Sequence, residues 1–234
     1  MSEQRPVGET LERLPSGRRP ERKPLEGRSV RLEPVDVAAH GGALYAAFAE
    51  SDPEGAIWTY MGYGPFADRD AFLAWLGNQQ ASEDPLFFAL IPTETGRAAG
   101  MASFMRMAPE HGVIEAGNIW LAPSLQRTRA ATEAIYLMIA HAFDDLGYRR
   151  FEWKCDALNA ASRRAAKRYG FTFEGIFRQH LVIKGRNRDT AWHAILDHEW
   201  PRLSEAFQAW LDDANFDGAG RQRRALSELM QGTG

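Results

Sequence analysis

Asn118-Ile119-Trp120-Leu121-Ala122-Pro123-Ser124-Leu125-Gln126-Arg127-Thr128-Arg129-Ala130-Ala131-Thr132-Glu133-Ala134 is the stretch of this chain with the most chemistry in it. It reads as a buried strand, a proline stop, a short polar loop with two arginines, and the start of a long helix. The first amides of a helix lack intrahelical partners and lie at the positive end of its dipole. A loop feeding that end makes a site for a diphosphate, and Arg127 and Arg129 could add charge-assisted bonds. Taken alone, the stretch reads equally well as an ordinary connection with surface arginines. A second polar turn, Asn159-Ala160-Ala161-Ser162, opens a shorter helix that Tyr169-Gly170-Phe171 closes.

The elements that must hold these groups follow from periodicity. Ser29 to Pro34 alternates as a strand, and Asp36 caps a helix through Leu44 and Phe48. An aromatic loop follows, with Trp58, Tyr60, Tyr63 and Phe66, and then a helix from Asp68 with Phe72, Leu73 and Leu76 on one face. Leu86–Ile91, Ala98–Met107 and Val113–Leu121 read as an antiparallel meander. The period then turns helical from Ala131 to Leu146, stopped by Gly147. The strand Phe151–Cys155, the helix Ala160–Tyr169 and two long strands, Phe171–Ile183 and Thr190–Leu196, follow; Lys184-Gly185-Arg186-Asn187 forms the hairpin of that pair. A last amphipathic helix carries Leu203, Phe207, Trp210 and Leu211. The expectation is one α/β (α+β) domain over 25–213, between a flexible tail at 1–24 and a polar tail at 214–234. Its mixed, mostly antiparallel sheet would have seven strands and helices on both faces.

The two polar turns together resemble the acetyltransferase superfamily related to the histone acetyltransferase Gcn5, and within it the ribosomal-protein N-terminal acetyltransferases. Gln126 to Ala134 is similar to that family's pyrophosphate loop and Thr-Glu-Ala. Asn159, Ser162 and Gly170-Phe171 match its Asn-x-x-Ser and Gly-Phe, and Leu25 to Pro34 looks like its first strand. The likeness covers roughly 25–200 and has one departure: Arg129 stands where the loop usually has a glycine. If that position needs a positive φ, coenzyme binding would suffer.

The resemblance implies a fold splayed between its fourth and fifth strands, with the coenzyme in the gap. Acetyl-coenzyme A would be held by Leu121, Gln126, Arg127, Thr128, Arg129, Ala130, Ala131, Thr132, Asn159, Ser162 and Lys167. The amine would attack directly, assisted by a backbone amide near Asn118 to Trp120. Position 166, where many relatives have an acidic tyrosine, is alanine, which leaves Ser162 as the proton donor to the thiolate. Glu115 is the favoured general base, with Asn118 beside it. The two differ in parity and would face opposite sides of the sheet unless a bulge at Gly117 intervenes. Trp58, Tyr60, Tyr63 and His180 would line the acceptor site, and His193 is a further candidate; His111 and His141 read as surface residues.

A net charge of −3 argues against bulk nucleic-acid binding, although Arg163, Arg164, Lys167 and Arg168 form a basic run. Arg178, Arg186 and Arg188 leave room for an acidic acyl group such as succinyl. One cysteine, Cys155, excludes an internal disulfide framework. With no signal core and no apolar run of about 18 residues, a cytoplasmic protein off the membrane is expected. No spacing fits a metal site. The expected partner is an amine-bearing small molecule or a peptide N-terminus, with a homodimer left open. A non-catalytic coenzyme sensor is the second reading.

Overall fold

The computed structural model describes residues 5–52 and 54–231. Strands β1 (Leu25–Glu26) and β2 (Val30–Pro34) lead into helices α1 (Val37–Ala49) and α2 (Arg69–Ala81). The meander β3 (Leu86–Pro92), β4 (Gly100–Ala108) and β5 (Val113–Leu121) follows, then α3 (Arg129–Ala140) and β6 (Arg150–Asp156). Beyond them come α4 (Ala160–Arg168), β7 (Thr172–Ile183), β8 (Arg186–Leu196), α5 (Trp200–Leu211) and α6 (Leu226–Gln231). The strands make one eight-stranded sheet in the order β1-β2-β3-β4-β5-β6-β8-β7. The count exceeds the expected seven because Leu25–Glu26 pairs with β2 through Leu25↔Leu32.

Every neighbouring pair is antiparallel except β5 and β6, which are joined through α3 and run parallel. Their pairing stops at Ala116↔Trp153, so Gly117–Leu121 of β5 has no β6 partner. The sheet therefore splays where the sequence places its fourth and fifth strands.

Both faces are covered, so β3 reads as a continuous apolar run rather than an alternating one. Leu86, Phe88 and Leu90 pack with α3 and α5, while Phe87, Ala89 and Ile91 pack with α1 and α2. Buried Glu133 on α3 fixes the β1–β2 turn: its carboxylate accepts from the amides of Arg28 (2.8 Å) and Ser29 (2.6 Å) and from the Ser29 hydroxyl. Gly27 lies close above it; a Cβ there would come within 2.7 Å of the Glu133 carboxyl carbon.

The described part of the expected C-terminal tail is packed rather than free. Leu226 and Met230, four residues apart, bury one side of α6, and the Met230 carbonyl accepts from Arg202. The polar composition hid that short stripe. Residues 5–24 follow the surface without a helix. Ser16 donates to the Leu146 carbonyl, the Tyr148 hydroxyl to the Arg18 carbonyl (3.0 Å), and Arg22 to the Ser82 carbonyl (2.6 Å). Positions 1–4 and 232–234 of the two expected tails lie outside the described residues.

Candidate active site

The loop before α3 has the geometry of an anion cradle. Thr128 caps the helix, its hydroxyl accepting from the Ala131 amide (3.1 Å) and donating to the Leu125 carbonyl (2.7 Å). Gln126 folds back to donate to the Leu121 carbonyl (2.9 Å). Among the described residues the amides of Arg127, Arg129 and Ala130 donate to nothing in the chain. They sit where the helix dipole favours negative charge. The left-handed residue of the loop is Arg127, with φ +61°, and Arg129 starts α3 in ordinary helical conformation. The absent glycine therefore costs this loop nothing at position 129.

Arg129 corrects one expectation. Its guanidinium turns away from the loop to Asp213 (2.7 Å), the Leu211 carbonyl and the Phe216 ring (4.7 Å). Its side chain ties α3 to the chain after α5, and only its amide faces the cradle. Arg129→Ala should leave coenzyme affinity within about twofold while costing about 1 kcal/mol of stability. Calorimetry and thermal melts check this; a tenfold affinity loss at unchanged melting temperature would return the guanidinium to the phosphates. Ala130, Ala131 and Thr132 are buried, so their side chains serve the core.

Lys167 is a second correction. With Arg163, Arg164, Phe173 and His193 it lines a cavity of about 530 Å³ between α4 and β7. The basic residue on the α3 side is Arg168, which donates to Thr132 Oγ1 (3.1 Å) and lies over the Trp210 ring (5.0 Å). Helical spacing centres 160, 163, 164 and 167 on one face and puts 168 at its edge, about 100° round from 167.

At the apex of the splay, Asn159 Oδ1 caps α4 by accepting from the Ser162 amide (3.0 Å). Ser162 Oγ accepts from the indole of Trp153 (2.9 Å), the last β6 residue paired with β5. Its proton stays available to donate. Burial pushes the neighbouring Cys155 thiol up, and the Ser162 hydroxyl partly offsets this.

The opposite face of the splay, beneath α1 and α2, gathers Glu115, Asn118, Lys154, Trp192 and His180. Lys154 and Trp192 pair in regular register, and irregularities in the neighbouring strands bring the others there. Ser103 pairs with Gly117 and Met101 with Trp120, so Ala102 faces both Asn118 and Ile119. Asn118 takes φ +52° and its amide donates to Ser103 Oγ (2.9 Å). The bulge lies one residue past the expected Gly117, and it restores parity: Glu115 and Asn118 share a face. Gly117 leaves the space between them, since a Cβ there would overlap Met105 Sδ at 2.2 Å. A second bulge, with Arg106 at φ +48°, directs that guanidinium toward Glu115 (3.6 Å) while the Asp84 carboxylate holds its amide (2.8 Å). A third, with Gln179 at φ +50°, sets His180 against Thr190 (2.9 Å). The two other non-glycine residues with positive φ among the described residues are Arg127 in the cradle and Lys184 at the hairpin tip. Backbone strain in this chain thus concentrates around the site.

Glu115 is 4% exposed, and burial raises its pKa against the opposing pull of Lys154 and Arg106. Lys154 Nζ lies 3.1 Å from Glu115 Oε2, without hydrogen-bond alignment, and 2.6 Å from Glu152. It also sits 3.8 Å from the Trp192 ring centroid. The result is a buried carboxylate whose Oε2 is ion-paired with two cations yet accepts no aligned hydrogen bond, and whose pKa burial still raises. The His180 pKa is lowered, by burial first and then by Arg106, Arg188 and Lys154.

The aromatic loop divides. The Trp58 ring is 1% exposed, packed on Phe48 (5.0 Å), Phe66 (5.3 Å) and Trp120 (5.6 Å), so it belongs to the core rather than to a substrate surface. Tyr63 leans on Trp75 (4.3 Å) with its hydroxyl buried and unpartnered, and burial raises its pKa. Tyr60 reaches across to the Leu158 carbonyl (3.3 Å), and Lys184 donates to the Trp58 carbonyl (2.8 Å). The loop therefore bridges the start of α4 and the β7–β8 hairpin over the splay. His193 pairs with Trp153 and lies on the far face of the sheet with Phe173 (5.3 Å), away from Glu115. His111 and His141 lie outside the site, beside Glu110 and Asp145.

Sequence reasoning missed Lys154, Trp192 and Ser103, and named Arg168 only within a basic run. A signal for the first existed: Glu152 and Lys154 are charges two apart, interleaved with apolar Phe151, Trp153 and Cys155, which places an ion pair on one buried face.

Comparison with known proteins identifies the family of the fold. A family model described as an acetyltransferase (GNAT) domain matches residues 30–172. The crystal structure of a GCN5-related N-acetyltransferase from Brucella melitensis is 50% identical, covering 94% of this chain and 99% of that one with a TM-score of 0.90. The "Uncharacterized N-acetyltransferase p20" of Bacillus licheniformis is 28% identical over 182 residues, 74% of this chain and 93% of its own length. The "Putative ribosomal N-acetyltransferase YdaF" of Bacillus subtilis is 29% identical over 105 residues, 45% of this chain and 57% of its own. With its parallel splayed strands, its cradle before α3 and a family match over most of its sheet, the chain belongs to the GNAT family of acetyltransferases.

Proposed function

We propose that this acetyltransferase moves an acetyl group from acetyl-coenzyme A to a primary amine, of a small molecule or a peptide N-terminus, by direct attack. The reading is carried by one juxtaposition: free helix-start amides on one side of the splay and a buried carboxylate with a raised pKa on the other. The amides of Arg127, Arg129 and Ala130 would receive the diphosphate, with Leu121 and Gln126 shaping the loop. The Asn159 side-chain amide, free once its oxygen has capped α4, would bond the pantetheine arm. The unpaired edge of β5 beyond Ala116 would hold the thioester carbonyl. Glu115 would take the proton of the acceptor's ammonium so that the neutral amine attacks, with Asn118 and Ser103 fixing its surroundings, and Ser162 would donate to the departing thiolate. The partial likeness to YdaF favours a peptide N-terminus over other amines.

A free-thiol release assay with acetyl-coenzyme A over an amine and peptide library tests the reading. Thiol release that depends on an added amine is the expected result; coenzyme binding with no release on any amine would instead mark a sensor. Ser162→Ala should lower kcat about tenfold or more with coenzyme Kd nearly unchanged, and an unaltered kcat would remove Ser162 from the chemistry.

A further inference from the structure

The acceptor side of the splay carries cations that the transfer chemistry does not use. Lys154 is committed to Glu115 and Glu152, and Arg106 to Glu115. Lys184 and Arg188, on the β7–β8 hairpin, are different. Among the described residues neither has a carboxylate within 4.0 Å. Arg188 Nε is buried and donates to nothing, and so is Trp192 Nε1 four residues along the same strand. Residues 188, 190 and 192 share a face by strand alternation. That face is fixed by Lys154 over Trp192 and by His180 on Thr190. Two buried donors, one of them cationic, are thus aimed at the ground where an acceptor must lie. An unpartnered buried donor is costly, and the Arg188 Nε belongs to a half-buried guanidinium with no carboxylate beside it. An anion supplied by the substrate removes that cost.

We infer that the amine acceptor carries a second, anionic group, a carboxylate or a phosphate, held by Arg188 and Trp192 with Lys184 at the mouth of the cleft. The inference rests on the acetyl-transfer reading and names the substrate class of that site. The anion belongs to the acceptor rather than to the acyl group because of distance. β8 lies two strand spacings, roughly 10 Å, from the β5 edge where the thioester is placed, while the far carboxylate of a succinyl group reaches only about 5 Å from its thioester carbon. Phe177, 5.0 Å from Trp192 and more than half exposed, would pack against the apolar part of the acceptor.

The test is thiol release by the full chain with acetyl-coenzyme A on matched pairs of amines, identical but for a carboxylate or phosphate. The anionic member of a pair should have a kcat/KM at least about tenfold higher, as charge-assisted bonds to a half-buried guanidinium imply. Arg188→Gln should bring that ratio close to one through KM, while Arg186→Gln, at the exposed hairpin tip, should preserve it. Neutral amines served as well as anionic ones would overturn the inference and leave the acetyl-transfer reading intact. So would a preference that instead follows succinyl- over acetyl-coenzyme A, since the anion would then be the donor's. Coenzyme binding without transfer to any amine would remove the parent reading and this inference together.

Discussion

Glu115→Gln is expected to lower kcat by about 100-fold or more, the range seen when a positioned acid–base group is removed, with coenzyme affinity unchanged. The pH profile should report the same group. Burial holds the Glu115 carboxyl above the ordinary carboxylate range, and the ionised form is the active one. Wild-type kcat/KM should therefore rise with pH through that raised value, and the glutamine variant should lose this limb. The stability sign separates catalysis from structure. A carboxyl whose folded pKa is raised binds its proton more tightly in the native state. Its contribution is then most favourable below the unfolded pKa and is lost as pH rises toward the folded value. Removing the charge should leave the melting temperature at neutral pH unchanged or slightly higher, because Lys154 keeps Glu152 at 2.6 Å. A kcat that survives the substitution would exclude Glu115 as the base.

Trp58→Ala carries the largest expected loss of stability. The ring is buried among Phe48, Tyr63, Phe66 and Trp120, and truncating a core tryptophan costs about 3–5 kcal/mol. For a chain of this size that corresponds to a fall of roughly 6–20 °C in melting temperature. Gly64 adds to the constraint: it has φ +61°, and a Cβ there would lie 2.8 Å from the Trp58 ring. The loop that spans the splay is thus built around this indole. Thermal denaturation with parallel KM measurements decides its role. A stable protein with a raised KM would make Trp58 a substrate contact; an unstable one matches its place in the core.

Much of this arrangement could be read from residue types. The proline stop and the polar loop after it announced the start of α3, and the hydrophobic period located the meander and the long helix. Asn159-x-x-Ser162 marked the second cap. What escaped were features in which one element answers another. Asn118 differs in parity from Glu115, and only a bulge that takes a left-handed residue on β5 brings them to one face. Alternation alone assigns them to opposite sides, and the sequence pointed one residue early, to Gly117. Arg129 looked like a phosphate ligand because its partners, Asp213 and Phe216, lie more than eighty residues away. Lys167 and Arg168 are adjacent in sequence but point to different neighbours, as helical geometry requires. Trp58 belonged to an aromatic-rich loop, and composition does not separate a core indole from one that faces substrate.

Titration calorimetry of coenzyme A into the full-length protein tests most directly whether the start of α3 is a diphosphate cradle. Saturable binding of one equivalent is predicted, weakened severalfold or more when the diphosphate is absent from the ligand and little altered by Arg129→Ala. Absence of any binding heat over a range of temperatures, or equal affinity for pantetheine without its diphosphate, would contradict the account.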